Sequence, residues 1–220
     1  DGKTWFMSQA SGSLFGTSVN VLTERYAPIA ADWRTVAMNS NGQVQFAAAN
    51  TGLVWRSMDY GVTWSVPGPV WSTSSTGGIS IAVSASGQFQ TIISPGNLCF
   101  VSSNYAASFT QLSLATGSNL CGVAMSASGQ YQTAVVSTNT NVVFNSSNYG
   151  VTWTQNTNSS VNWVNNVAIS ASGQYQTAGI ANGGSNYIWI SNNYGMNWLQ
   201  NTNINFSNSI SAFFVFLVNV

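Results

Sequence analysis

The segment SASGQYQTAG, residues 170–179, has close copies upstream in SASGQYQTAV (126–135) and SASGQFQTII (84–93), and a looser one in NSNGQVQFAA (39–48). The glycines Gly42, Gly87, Gly129 and Gly173 follow one another at steps of 45, 42 and 44 residues. A second motif keeps the same beat. SMDYGVTW (57–64), SSNYAASF (102–109), SSNYGVTW (146–153) and SNNYGMNW (191–198) end at Trp64, Phe109, Trp153 and Trp198, at steps of 45, 44 and 45. Two motifs locked to one period identify an internal repeat, and a repeat settles architecture before any local reading does.

Within one period the residues read as four short strands, and no helical stripe of useful length occurs anywhere. In the copy from 163 to 200, WVNNVAIS is a strand and SASGQ a tight turn whose glycine takes positive φ. YQTAGI is the second strand, NGGSN a loop, YIWIS the third strand, SNNYG a turn and MNWLQ the fourth strand. Four strands every 40 to 50 residues predict the blade of an all-β propeller. The expected blades are roughly 33–70, 71–115, 116–160 and 161–203 of a single domain spanning 1–220.

The pattern Ser-x-Asp-x-Gly-x-Thr-Trp in SMDYGVTW resembles the Asp-box, or BNR repeat, of sialidases, sortilin-like receptors and photosystem assembly factors. Ser57, Asp59, Gly61, Thr63 and Trp64 fill its five defining positions. The second copy keeps Ser102 and Asn104 but has Ala106 and Phe109 at the Gly and Trp positions. The third keeps Ser146, Asn148, Gly150, Thr152 and Trp153, and the fourth Ser191, Asn193, Gly195 and Trp198. DGKTW (1–5) is similar to the tail of one more box. The resemblance implies a box in the turn between the third and fourth strands of each blade, closed by a short polar side chain that accepts backbone N–H bonds. Gly would supply the left-handed conformation and Trp would pack between sheets. Asn can accept the same bonds as Asp, so the box is expected to be a folding device rather than a catalytic site.

Closure is the next requirement, because exposed strand edges invite pairing. Residues 1–32 contain TWFMS and LFGTSVNVL, and 204–220 contain INFS and SAFFVFLVNV. These are expected to form closing or edge strands, a fifth blade shared by the two termini. The competing reading makes the chain a segment of a larger propeller. AFFVFLV is too short to span a bilayer, which needs about twenty apolar residues.

All eight charged residues (Asp1, Lys3, Glu24, Arg25, Asp32, Arg34, Arg56 and Asp59) precede position 60, and there is no histidine. A soluble protein is roughly a quarter charged, so about forty such residues would be expected between 60 and 220. The polar surface must therefore come from Ser, Thr, Asn and Gln, and low charge favours association. Nucleic acid is excluded as a partner, since phosphate binding rests on clustered Lys and Arg.

The resemblance to sialidases implies three arginines from separated blades, a Tyr–Glu nucleophile and an Asp acid/base. Arg25, Arg34, Arg56, Glu24 and Tyr26 instead crowd one early segment. With so few carboxylates and no histidine, neither two-carboxylate glycoside hydrolysis nor a Ser-His triad has its parts. Cys99 and Cys121 without further ligands make no zinc site. No enzyme activity, metal or cofactor is expected. Cys99 and Cys121 suit a disulfide of an oxidising compartment, two buried thiols being the alternative. Asn145, Asn158 and Asn205 are candidate N-glycosylation acceptors. Tyr60, Tyr105, Tyr149 and Tyr194 recur at one place in each box; they either pack over their own turns or contact glycans. The expected function is a non-enzymatic structural or adhesive module, exported to an extracellular or cell-surface assembly, with copies of itself or other subunits as partners. The alternatives are a lectin-like propeller, a lumenal assembly factor or, last, a sialidase-like glycosidase.

Overall fold

The computed structural model describes residues 33–49, 52–67, 79–94, 98–114, 120–136, 143–156, 164–180 and 186–206, with the backbone alone at 164, 165, 180, 186, 187 and 203–206. These residues form four antiparallel sheets and no helix. The first holds β1 (Trp33–Met38), β2 (Gln45–Ala49) and β3 (Val54–Ser57). The second holds β4 (Ser80–Val83), β5 (Gln90–Ser94), β6 (Leu98–Ser102) and β7 (Thr110–Ser113). The third is β8 (Leu120–Met125), β9 (Gln132–Val136), β10 (Val143–Ser146) and β11 (Thr154–Asn156), and the fourth β12 (Val164–Ile169), β13 (Gln176–Ile180), β14 (Asn186–Ser191) and β15 (Leu199–Phe206). Each sheet is a meander in which sequential strands are neighbours. In the first, Arg56 and Ser65 exchange backbone bonds of 2.7 and 2.8 Å where a fourth strand would begin.

The second strands β2, β5 and β9 are buried along their whole length. A strand wet on one face would alternate; continuous burial means that both faces are covered by neighbouring sheets. Small side chains at Ala47, Ala48, Ala134 and Ala178 let those sheets approach. The apolar cores accordingly lie between sheets. Phe46, Ala48 and Val54 pack with Ile81, Ile92 and Phe100 across the first joint. Ile93, Cys99 and Leu114 pack with Val123, Met125 and Phe144 across the second, and Val135 and Val143 with Ile169, Trp189 and Trp198 across the third.

The first strands of successive sheets touch, β1 to β4, β4 to β8 and β8 to β12, whereas β7, β11 and β15 make no comparable contact with one another. Sheets close at one edge and splayed at the other fan out like blades. At the first-strand edge the backbone itself is stitched from blade to blade: Ser40 N donates to Ala85 O (3.1 Å), Ala85 N to Ala127 O (2.9 Å) and Ala127 N to Ala171 O (2.9 Å).

Two sequence expectations change. The fourth strand of the last blade begins at Leu199 rather than Met196, because Asn197 N is held by Asn193 Oδ1 (2.9 Å) and Trp198 Nε1 by Gly195 O (2.9 Å), which keeps 196–198 in the turn. That strand continues to Phe206, so residues 204–206 extend the fourth blade instead of starting a closing strand. The remainder of the expected fifth blade, residues 1–32 and 207–220, lies outside the described residues, as does the box-like DGKTW.

Candidate functional site

In an up-and-down meander the first and third turns fall at the same end, so both sequence motifs meet there. A backbone bond ties them within each blade: Tyr60 N to Gln43 O (3.2 Å), Tyr105 N to Gln88 O (3.0 Å), Tyr149 N to Gln130 O (3.1 Å) and Tyr194 N to Gln174 O (3.0 Å).

The turn between third and fourth strands is built on two side chains. Ser57, Ser102, Ser146 and Ser191, all buried, accept from the N–H four residues on (2.8, 3.1, 3.0 and 3.0 Å), at Gly61, Ala106, Gly150 and Gly195. Asp59 Oδ1 accepts from Thr63 N at 2.8 Å, and Asn104, Asn148 and Asn193 accept the equivalent N–H at 3.0, 2.9 and 2.9 Å. The charge is thus dispensable to the geometry. Thr63 Oγ1 donates to Asp59 Oδ2 (2.6 Å); in the third turn the direction reverses and Asn148 Nδ2 donates to Thr152 Oγ1 (2.8 Å). The Thr63 hydroxyl and then the Thr63 N–H hold the Asp59 carboxyl down to about 2. Trp64, Trp153 and Trp198 each donate Nε1 to the carbonyl of the turn glycine at 3.1, 3.0 and 2.9 Å.

Gly is not the only left-handed residue of this turn. Tyr60, Tyr105, Tyr149 and Tyr194 take φ of 60°, 58°, 63° and 61°, and Ala106 takes 58° where the other turns have glycine. A left-handed non-glycine residue costs on the order of 1–2 kcal/mol. In the third and fourth blades the tyrosine ring lies against the preceding blade. Tyr149 stacks on Phe89 with centroids 4.5 Å apart, and Tyr194 packs on Tyr131 at 4.4 Å with the rings tilted by 37°. Tyr149 and Tyr194 therefore span joints while staying partly exposed.

The polar residues of the SASGQ motif also work across joints. Gln45, Gln132 and Gln176 donate Nε2 to Gly42, Gly129 and Gly173 carbonyls at 2.8, 2.9 and 3.2 Å, and Gln90 does the same to Gly87. The Oε1 atom then receives a hydroxyl from the previous blade. Thr91 donates to Gln132 (2.5 Å), while Thr133 Oγ1 lies 2.8 Å from Gln176 Oε1 and 2.9 Å from Asn145 Oδ1, sharing its one proton. Gln90 Oε1 is buried with no donor, because the residue in the equivalent place on the first blade is Phe46.

Arg56 and Asn145 occupy matching positions, just before the turn serine. Arg56 Nη1 donates to Tyr105 O (3.1 Å) and Ala106 O (2.8 Å) of the next blade, and Asn145 Nδ2 to Gly195 O (3.0 Å). Asn156 Nδ2 adds bonds to Gly195 O (3.0 Å) and Met196 O (2.7 Å). Asn145 is withdrawn as a glycan acceptor, since the amide nitrogen that would carry the sugar holds the joint. Asn158 lies outside the described residues, and of Asn205 only the backbone in β15 is described. The expected disulfide is likewise absent. Cys99 sits in the core of the second joint and Cys121 against that of the third, its thiol directed at Val135 O (3.5 Å). Burial pushes the Cys99 thiol up to about 12.

Tyr131, Tyr194, Asn145, Gln155, Asn156 and Met196 line a groove of about 420 Å³ between the third and fourth blades. No cluster of three or more His, Cys, Asp or Glu occurs among the described residues, and no helix there is long and apolar enough to cross a membrane. Arg34 lies on β1, Arg56 in a joint and Asp59 in a turn.

No protein-family model and no curated protein sequence matches the chain. Among solved structures it is similar to the GH74 enzyme of Niastella koreensis (20% identity over 77% of this chain and 24% of that one, TM-score 0.61). It is also similar to YCF48 from Cyanidioschyzon merolae (12%, 84% and 59%, 0.60) and to the RRP9 WD40 repeats (10%, 80% and 52%, 0.62). All three are β-propellers. This chain has the β-propeller fold. It spans less than two thirds of the length of each of these relatives, and at such identities the likeness shows the fold alone.

The joint residues Thr91, Thr133, Gln132, Gln176, Phe89, Tyr131 and Asn156 were not singled out from the sequence as a site. The signal was present in SASGQYQT, whose second Gln repeats as faithfully as its Gly and whose Thr recurs in three of the four copies.

Proposed function

We propose that this propeller is a non-enzymatic structural or adhesive module of an extracellular or surface assembly, and that its four turns are of the Asp-box type with Asn replacing Asp in three. The observation that supports this is how the turn-end polar groups are used. Serines, asparagines and glutamines, uncharged and repeated blade by blade, hold one another and the joints, leaving a neutral surface on which copies or partners can pack without repulsion. Electron microscopy of the native material together with intact mass tests it. Ordered fibres or sheets containing the chain support the reading; discrete isolated rings overturn it.

The groove between the third and fourth blades favours a second reading, a glycan-binding module. Partly exposed aromatic faces of Tyr131 and Tyr194 beside Asn and Gln side chains are the chemistry that holds neutral sugars, by stacking and uncharged hydrogen bonds. Glycan-array binding that is lost in Tyr194→Ala supports this second reading; no binding across the array removes it.

A further inference from the structure

Among the described residues the three joints repeat one set of partners, and the first and fourth blades each carry one half of that set. The residue two places after each SASG glycine packs on the glycine of the next blade. A Cβ added to Gly87 would lie 2.8 Å from Val44, one on Gly129 2.9 Å from Phe89, and one on Gly173 2.7 Å from Tyr131. Next in the series is Tyr175, which is 59% exposed. The glycine without a partner is Gly42, around which an added Cβ meets nothing within 4 Å.

The strands agree. Val36 is 59% exposed, whereas its equivalents Ile81, Val123 and Val167 are 6%, 6% and 5% exposed, each covered by the blade before it. Met38 is exposed while Met125 and Ile169 are buried. On the opposite side Thr177 is exposed, although Phe46, Thr91 and Thr133 at the same place are buried in joints. Ile190, at the place where Arg56 and Asn145 clamp the next turn in other blades, is exposed beside it, and so is Leu199. Tyr175, Thr177, Ile190 and Leu199 line a groove of about 810 Å³.

We infer that this trailing face of the fourth blade docks on the leading face of the first blade (Val36, Met38, Gly42, Tyr60) of a second copy of the chain, and that two copies close into one eight-bladed ring. Tyr175 then fills the space at Gly42 and Tyr60 packs on it, as Tyr194 does on Tyr131. Thr177 gains Gln45 Oε1 as its acceptor, as Thr133 has Gln176. Propellers are built of four to eight blades, and a heterologous contact that closes leaves no open face.

The inference rests on the scaffold reading and names a partner for it. Sedimentation velocity of the 220-residue chain is expected to show a dimer at twice 23.3 kDa. A monomer at all concentrations overturns the docking, and an open polymer overturns the closed ring. Val36→Lys and Tyr175→Lys each block one face and are expected to be monomeric with the unaltered circular dichroism spectrum. Mixed in equal amounts they are expected to form a 1:1 dimer through their single intact pair of faces. Lysines on either surface that leave self-association unchanged refute the contact. A monomeric chain that still occurs in ordered native fibres would refute self-docking and leave the scaffold reading standing; a dimeric ring absent from any assembly would do the reverse.

Discussion

Tyr194 lies against Tyr131 with ring centroids 4.4 Å apart, across the joint between the third and fourth blades. Tyr194 reaches it only because its backbone is left-handed, at φ 61°. Stacked aromatic pairs contribute about 0.5–1.5 kcal/mol beyond area burial. Tyr194→Ala is therefore expected to lower stability by roughly that amount. Urea unfolding of the single and double variants with Tyr131→Ala checks it: a double variant that loses less than the sum of the singles shows the coupling, and one that loses the full sum denies it.

Ser146 Oγ accepts Gly150 N at 3.0 Å from a buried position. Ser146→Ala leaves that N–H without its acceptor and is expected to cost about 1–3 kcal/mol. Chemical denaturation measures it, with Ser147→Ala, an exposed neighbour, as the control.

Gly173→Ala and Gly42→Ala share a left-handed backbone but not a neighbourhood. The first is expected to lose about 1–3 kcal/mol through overpacking against Tyr131 in addition to backbone strain. The second, measured on dissociated monomer, loses only the strain, about 1 kcal/mol. Equal losses at the two sites would contradict the joint geometry.

Asp59 has its pKa lowered from 3.8 to about 2. A carboxyl lowered by folding stabilises the native state above its unfolded value, and that contribution disappears as pH falls through about 2. Asp59→Asn retains an acceptor for Thr63 N, as Asn148 does for Thr152 N. Whatever stability advantage the aspartate holds at pH 5 is expected to shrink steadily as pH falls from there toward the folded value of about 2, read as the difference between the two thermal midpoints across that range.

Cys99, buried and with its thiol raised to about 12, is expected to resist alkylation at pH 8 until the protein unfolds. Cys121 is half-buried and labels first. A peptide map after native alkylation decides this, and an intact mass that reductant does not change confirms that the two are unbridged.

Much of the propeller was legible because its determinants are local. Gly87, Gly129 and Gly173 mark the first turn of their blades, Ser146 and Asn148 the third turn of one, and short β-rich runs connect such turns, so periodicity alone yields the four repeats and their strand order. Local signals also misplace boundaries: Trp198 reads as strand but is held in the turn by its own indole N–H. The joints were less legible. Thr133, Gln176 and Asn145 meet across a sheet-to-sheet gap, 43 and 12 residues apart in pairs, and nothing in a single strand distinguishes a polar residue facing water from one facing the next blade. The sequence by itself determined the repeat, the turn chemistry and the loss of charge after Asp59, because backbone conformation answers to adjacent residues. Only the tertiary structure decided that Tyr149 and Tyr194 bridge blades, that Asn145 and Arg56 are clamps, and that Val36 and Tyr175 are left exposed, because burial depends on which blade lies alongside.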